Sequence, residues 1–236
     1  MIVKIMGLNM NSPYEVVDAF ENRVAEYAGA KYGVAVNSCT NALMLSAIYR
    51  RLERGADTAI LPSRTYVGVP YAFINAGYKV EFQAQMWRGV YGIFTPNTYL
   101  GATPGGYWGI REVRDGLKTL DIIDSARRFT KDMYVPNTLY CLSFHECKTL
   151  AIGDGGIILT DEKKAYDALR QMRFDGRTPG KSVFDDEFTL PGYHCHMKPD
   201  VATRGMMLMA GVKDFNEDLP ETYPDLSQIK YFRGDA

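Results

Sequence analysis

The sequence has few cysteines, almost no net charge and no long apolar run. Its four cysteines include no CxxC pair, which is typical of reduced thiols, and we expect no disulfides. Lysine and arginine number 27 against 28 acidic residues, so a basic footprint for nucleic acid or an anionic membrane is absent. No segment approaches the roughly 20 apolar residues of a spanning helix, and residues 1–10 lack the apolar core of a signal peptide. We therefore expect a soluble, cytoplasmic protein that binds neither nucleic acid nor membranes.

Histidine is also scarce, with three in the chain. His194 and His196 form a His-x-His pair, but no Cys, Asp or Glu completes it at a spacing that metal sites use. The sequence therefore predicts no metal site.

Short apolar runs alternate with amphipathic helical stretches along most of the chain. The predicted strands cover residues 33–37, 58–61, 79–82, 120–123, 139–144 and 156–160. Helical spacing of apolar residues follows the first two of these strands and also covers residues 163–174. This alternation predicts an α/β fold of three layers, αβα, with a mostly parallel central sheet.

The length fits one domain with short appendages. We expect residues 1–211 to form that domain, and residues 212–236, which are acidic and contain several prolines, to form an extended or wrapping tail. Residues 85–116 are rich in Gly, Pro, Tyr and Trp and predict only an aromatic-rich loop or irregular strands.

Ser38 and Thr40 lie where a predicted strand turns into a helix. Their hydroxyls and the free N–H groups of the first helical turn can converge on a phosphate. Ser and Thr are also favoured as ordinary N-caps, and the position taken alone favours that interpretation. Both interpretations remain open.

Asp124 directly follows the apolar run of residues 120–123, so it lies at the carboxyl end of a predicted strand. Open α/β sheets build their ligand crevices at such ends. A carboxylate there can hold a pyridinium nitrogen protonated, which strengthens pyridoxal phosphate (PLP) as an electron sink. The alternative is that Asp124 caps the next turn.

Lys148 ends the stretch Ser-Phe-His-Glu-Cys-Lys, just after a β-rich run and before Gly153-Asp154-Gly155-Gly156. A lysine at the rim of a buried strand can be desolvated, which lowers its pKa and leaves a neutral amine able to condense with an aldehyde. Most lysines, however, are solvated surface residues, and a Gly-rich stretch is often only a turn.

Taken in order, these motifs resemble the DegT/DnrJ/EryC1/StrS aminotransferases. These are PLP enzymes of the aspartate aminotransferase architecture, fold type I, that act on nucleotide-linked ketosugars. The matching segments are residues 20–43, 62–66, 124–126, 143–148 with the following GDGG and residues 157–160, and 192–197.

The resemblance implies a role for each matching position. Ser38, Cys39 and Thr40 would hold the PLP phosphate, with a further contact from Ser143. Tyr66 would stack on the pyridine ring, Asp124 would pair with the ring nitrogen, and Lys148 would be the Schiff-base lysine. Lys148 and Asp124 would be the catalytic residues.

Three positions depart from the family pattern. Cys39 replaces the usual glycine of the phosphate loop, and Arg127 replaces a glutamine but can still hold the phenolate oxygen of the cofactor. His194 replaces the asparagine that usually reaches the phosphate from the neighbouring subunit. Family members also continue into a C-terminal small domain, whereas this sequence stops soon after the match ends.

The resemblance thus implies a PLP-dependent aminotransferase for a nucleotide-linked ketosugar, with an amino acid as donor and a homodimer as the assembly. One alternative is a PLP-dependent sugar dehydratase, although family dehydratases replace the lysine by histidine and Lys148 argues against it. The other is a non-catalytic binding or assembly protein, which the changes at Cys39, Arg127 and His194 favour and the retention of Lys148, Asp124 and Ser143 disfavours.

Overall fold

A computed structural model describes residues 3–5, 8–10, 12–84, 90–93 and 122–233. The strands are β1 (Val3–Ile5), β2 (Leu8–Met10), β3 (Tyr32–Val36), β4 (Thr58–Pro62), β5 (Lys79–Gln83), β6 (Tyr91–Ile93), β7 (Ile122–Asp124), β8 (Leu139–Ser143) and β9 (Gly156–Thr160). The helices are α1 (Glu15–Ala28), α2 (Cys39–Arg54), α3 (Gly68–Asn75), α4 (Lys163–Met172), α5 (Pro199–Met209) and α6 (Lys230–Arg233), with a 3-10 turn at Leu226–Gln228. Within these residues, no helix is both long and apolar enough to cross a membrane. The predicted irregular region, residues 85–116, lies outside the described residues except for 90–93.

The central sheet has five strands in the order β3-β9-β8-β7-β6, and β4 and β5 form a separate parallel pair. The α/β class is confirmed, but the sheet is mixed where the sequence predicted a mostly parallel one. Of its pairings, only β7 with β8 is parallel, whereas β9 runs antiparallel to both of its neighbours and β6 runs antiparallel to β7. A parallel neighbour needs a crossover connection, usually a helix. No helix lies between β8 and β9, so β9 returns antiparallel.

The sheet is buried on both faces, which confirms the three layers. Successive strand residues point to opposite faces, and on β9 Ile158 packs into the cluster formed with α2, α3 and α4. Ile157 and Leu159 pack into the second cluster, with α1 and α5. All five residues of β9 are buried, as expected for a strand covered by helices on both sides.

Strand direction determines where the polar strand ends meet. Strands β3 and β8 are both antiparallel to β9, and β7 is parallel to β8, so β3, β7 and β8 run in the same direction. Their carboxyl ends therefore lie at one edge of the sheet. Strand β9 starts at that same edge, because isolated bridges join Ser38 to Gly155 and His145 to Gly153.

Residues 212–233 extend along the surface and reach the loop that follows β4. An ion pair joins Lys131 and Asp214 at 3.0 Å, and a second joins Arg128 and Asp218 at 2.6 Å. Further along, Leu226 is buried, with 1% of its surface exposed. The boundary at residue 211 remains a prediction.

Candidate active site

A cavity of about 480 Å³ lies at the edge of the central sheet where β3, β7 and β8 end. Eight predicted site residues line it: Ser38, Cys39, Thr40, Tyr66, Asp124, Arg127, Ser143 and Lys148. They come from the ends of β3, β7 and β8, the start of α2 and the loop before α3. The sheet topology thus brings together residues that are far apart in the sequence.

The start of α2 forms one wall of the cavity. Ser38 is the N-cap residue, and its Oγ accepts a hydrogen bond from the Asn41 N–H at 3.1 Å, so the capping interpretation is correct for this hydroxyl. The first helical N–H groups have no partner within the helix, and together with the helix dipole they favour an anion. Capping by Ser38 and anion binding by the neighbouring amides are therefore compatible.

Gly156 allows β9 to approach this helix start closely. A Cβ atom at position 156 would lie 2.6 Å from the Cys39 backbone nitrogen and 2.7 Å from the Ser38 carbonyl carbon. Real Cβ atoms do not come so close to backbone atoms. The last glycine of the GDGG stretch therefore permits the close packing of β9 on the start of α2 and is more than a turn residue.

Cys39, at the position where the family usually has glycine, carries a thiol whose surroundings favour the protonated, neutral form. Burial raises the pKa of Cys39 well above its usual value, the nearby Asp124 and Cys141 raise it further, and Lys148 opposes them. A protonated thiol adds no negative charge beside the helix start. Cys39 is therefore electrostatically compatible with an anion there.

Asp124 ends β7 and is buried, with 8% of its surface exposed. Its Oδ1 accepts a hydrogen bond from the Ala126 N–H at 3.0 Å, so it also caps the following turn. Burial raises its pKa, while the Ala126 hydrogen bond and the charges of Lys148 and Arg127 act in the opposite direction. A cation placed against Asp124 would stabilise its ionised form.

Lys148 is half-buried and lies on the turn that follows β8. Its backbone N–H donates to the His145 carbonyl at 2.9 Å, which fixes the turn. Lys148 lines the cavity, and its charge lowers the pKa of Asp124. Lys148 therefore shares a cavity with a buried carboxylate, and its role there remains a prediction.

Arg127 makes contacts that the sequence did not predict. Its Nη1 donates to the Pro220 carbonyl and its Nη2 donates to Thr222 Oγ1 at 2.9 Å. The guanidinium carbon lies 4.3 Å from the centre of the Tyr223 ring, a cation–π contact. Tyr223, which also lines the cavity, was missed because nothing in an extended acidic tail indicates where it returns to the domain.

Other lining residues were missed although a signal was present. His145 and Cys147 belong to the stretch that ends at Lys148 and also line the cavity. The His145 Nδ1 and Cys147 Sγ atoms are 3.4 Å apart. Asp154 and Gly155 belong to the GDGG stretch and also line the cavity. Proximity to Lys148 in the sequence was the signal that could have identified them.

His194 does not line the cavity of its own chain. Its Nδ1 lies 3.0 Å from Asp175 Oδ2, and 75% of its side chain is exposed. The resemblance assigned it to the phosphate of a neighbouring subunit, a contact that a single chain does not test. Within the described residues, no cluster of histidine, cysteine and acidic residues is suited to a metal ion.

Fold and site together define a three-layer α/β domain with a lysine, a buried aspartate and a helix N-terminus around one cavity. The chain belongs to the DegT/DnrJ/EryC1/StrS aminotransferase family, whose model matches residues 2–84 and 136–228. The family predicted from the ordered motifs is therefore confirmed.

Curated relatives include enzymes of two kinds. The chain is 25% identical over 224 residues to GDP-perosamine synthase of Escherichia coli O157:H7, covering 87% of this chain and 60% of the relative. It is also 25% identical over 233 residues to GDP-4-keto-6-deoxy-D-mannose 3-dehydratase of Yersinia pseudotuberculosis, covering 82% of this chain and 58% of the relative. The chain thus spans less than two thirds of the length of these relatives.

Solved structures agree with the fold. AtS13 from Actinomadura melliaura superposes with a TM-score of 0.61 at 18% identity, covering 83% of this chain and 59% of that one. The predicted three-layer α/β fold is therefore shared with this solved structure.

Proposed function

We propose that this chain binds PLP and is an aminotransferase that transfers an amino group from an amino acid to a nucleotide-linked ketosugar. The observation that carries the proposal is that Lys148, Asp124 and the start of α2 line one cavity. Family membership and the sugar-synthesis relatives support the reaction class and the substrate class.

The residues around the cavity fit the cofactor. The amides at the start of α2, with Ser38, Cys39, Thr40 and Ser143, suit a phosphate. Asp124 is buried and would be stabilised by a protonated ring nitrogen, as the raised pKa of this carboxyl implies. The Nε of Arg127 is buried and has no partner among the described residues, so a donor is available for the phenolate oxygen. Tyr66, which lines the cavity and is 54% exposed, offers a ring face for stacking.

When bound, PLP supplies an aldehyde for an amine and a ring that withdraws electrons from the reacting carbon. Lys148 suits the covalent attachment, because its flexible stem lets the amine reach the aldehyde and, once released, move a proton at the substrate carbon. Asp124 keeps the ring nitrogen protonated, since a buried carboxylate at this position favours a positive partner. The remaining contacts orient the cofactor.

Titration with PLP tests the cofactor assignment. We expect a visible absorbance band that borohydride reduction fixes to the protein, with the label on the peptide that contains residue 148. Lys148→Ala should lose the band and the label. Lys163→Ala is a matched control, because Lys163 is exposed and pairs with Asp167 on α4, away from the cavity. If Lys148→Ala protein behaved as wild type does, the assignment would be wrong.

Incubation of the PLP-loaded protein with glutamate tests the reaction. An aminotransferase converts the cofactor to its pyridoxamine form, and the visible band disappears. A dehydratase remains a second candidate because of the dehydratase relative, but family dehydratases carry histidine where this chain has Lys148. If saturating PLP changed neither the spectrum nor the melting temperature, a non-catalytic binding or assembly role would replace both.

We further propose a cytoplasmic homodimer in which residues 1–211 form the cofactor domain and residues 212–236 form its tail. In such a dimer His194 would reach the phosphate site of the partner subunit, which suits its exposure and its position outside the cavity of its own chain. Light scattering after size-exclusion chromatography tests the dimer. His194→Ala should weaken PLP binding without changing the monomer fold.

A further inference from the structure

Residues 220–226, here called the C-terminal segment, are attached to the loop that follows β4, beside the cavity. The Leu226 N–H donates to the Ser63 carbonyl at 2.7 Å, and Arg64 Nη1 donates to the Tyr223 carbonyl at 3.5 Å. An antiparallel bridge also joins Arg64 to Asp225. These contacts fix the segment to the loop that follows β4, so Tyr223 has a defined place in the cavity wall.

The same segment holds Arg127 on the loop that follows β7. Arg127 donates to the Pro220 carbonyl and to the Thr222 hydroxyl, and its guanidinium lies over the Tyr223 ring. The ring of Tyr223 is also near the ring of Tyr66, with centroids 6.0 Å apart. The segment thus contacts the guanidinium through two hydrogen bonds and one ring face.

Every one of these partners is electrically neutral. A carbonyl, a hydroxyl and a phenol ring fix the direction of a guanidinium without cancelling its charge, whereas a carboxylate would do both. No carboxylate of the described residues forms an ion pair with Arg127, and its charge lowers the pKa of Asp124. Fixing a free arginine side chain costs rotamer entropy. The segment supplies that ordering before any ligand arrives.

We propose that Tyr223 is a positioning residue that acts through Arg127, holding the guanidinium in place for the anionic oxygen of the cofactor. The inference rests on the proposed PLP function and adds to it a role for the C-terminal segment. Tyr223 itself need not touch the cofactor. Its contribution is to keep the Arg127 side chain ordered at the cavity wall.

A double-mutant cycle separates action through Arg127 from direct contact. Dissociation constants for PLP are measured by absorbance titration for wild type, Tyr223→Leu, Arg127→Gln and the double variant, with Tyr223→Phe as the variant that keeps the ring. Tyr231→Leu is the matched control, because Tyr231 is an aromatic residue of the same tail that packs on Tyr71 and does not line the cavity. Melting temperatures without PLP check that each variant folds. Thr222→Val, which removes only the Nη2 partner, replaces Tyr223→Leu if that variant does not fold.

We expect Tyr223→Leu to weaken PLP binding about fivefold, in the range of a partly desolvated cation–π contact, and to shift the visible band. Tyr223→Phe and Tyr231→Leu should bind as wild type does. In the Arg127→Gln background, Tyr223→Leu should have no further effect. An equal loss in both backgrounds, or no loss in the wild-type background, would overturn the inference and leave the proposed function standing. If wild type forms no visible band with PLP, the proposed function fails and this inference fails with it.

Discussion

Gly156→Ala is the substitution for which the structure predicts the clearest combined effect on folding and on the site. The added methyl would meet three backbone atoms: the Cys39 nitrogen at 2.6 Å, the Ser38 carbonyl carbon at 2.7 Å and the Cys39 Cα at 2.9 Å. Ordinary contacts begin at 3.4 Å, and backbone atoms cannot rotate away as a side chain can. Strand β9 or the start of α2 must therefore shift by several tenths of an ångström.

Overpacking of this kind costs about 1–3 kcal/mol. In a domain of this size each kcal/mol lowers the melting temperature by about 2–4 °C. Because the displaced backbone is the proposed phosphate loop, we also expect weaker PLP binding. Urea unfolding and PLP titration measure the two effects on the same protein.

Gly211→Ala is the control, because the nearest atom to its added methyl would be the Leu208 carbonyl oxygen at 3.9 Å. We expect its free energy of unfolding to stay within about 0.5 kcal/mol of wild type, as surface substitutions usually do. A Gly156→Ala protein with wild-type stability and wild-type PLP affinity would refute the close approach of β9 to α2.

Three further predictions concern charge and capping. Burial raises the pKa of Asp124 above its value of about 3.9 in the unfolded chain, so ionisation of this carboxyl destabilises the fold increasingly as the pH rises from the unfolded to the folded pKa. Cofactor-free Asp124→Asn should therefore be more stable than wild type at pH 7. Urea unfolding should show this difference in the free energy of unfolding narrowing as the pH falls toward about 3.9. Ser38→Ala removes the cap of α2 and should cost about 1 kcal/mol by the same measurement, with Ser38→Thr losing less. Arg173→Met removes the closer of the two ion-pair partners of the buried Glu21 carboxylate and leaves Arg170 at 3.9 Å; it should lower the free energy of unfolding by up to about 3 kcal/mol, unless Glu21→Gln is combined with it.

Sequence patterns located the elements and the polar strand ends well, because both depend on local periodicity and local capping. Ser38 follows β3, Asp124 ends β7 and Lys148 follows β8, as predicted. The directions in which the strands pair could not be predicted from such patterns. Antiparallel β9 between β3 and β8 is a consequence of long-range contacts, and a fully buried strand has the same apolar pattern whichever way its neighbours run.

The path of residues 212–233 also depends on long-range contacts that local sequence patterns do not predict. The proline and acidic content of this tail predicted an extended course, but the position of Tyr223 depends on hydrogen bonds to Ser63 and Arg64, which are distant in the sequence. Arg127 was predicted as a cofactor contact, yet its present partners are all in that tail. No local pattern encodes such a contact.

The convergence of β3, β7 and β8 at one sheet edge determines when the cavity forms during folding. Strand β3 is far from β7 and β8 in the sequence, so the start of α2 meets Asp124 and Lys148 only after this non-local strand pairing has formed. A ligand of this cavity therefore binds only the folded chain and stabilises the fold by mass action.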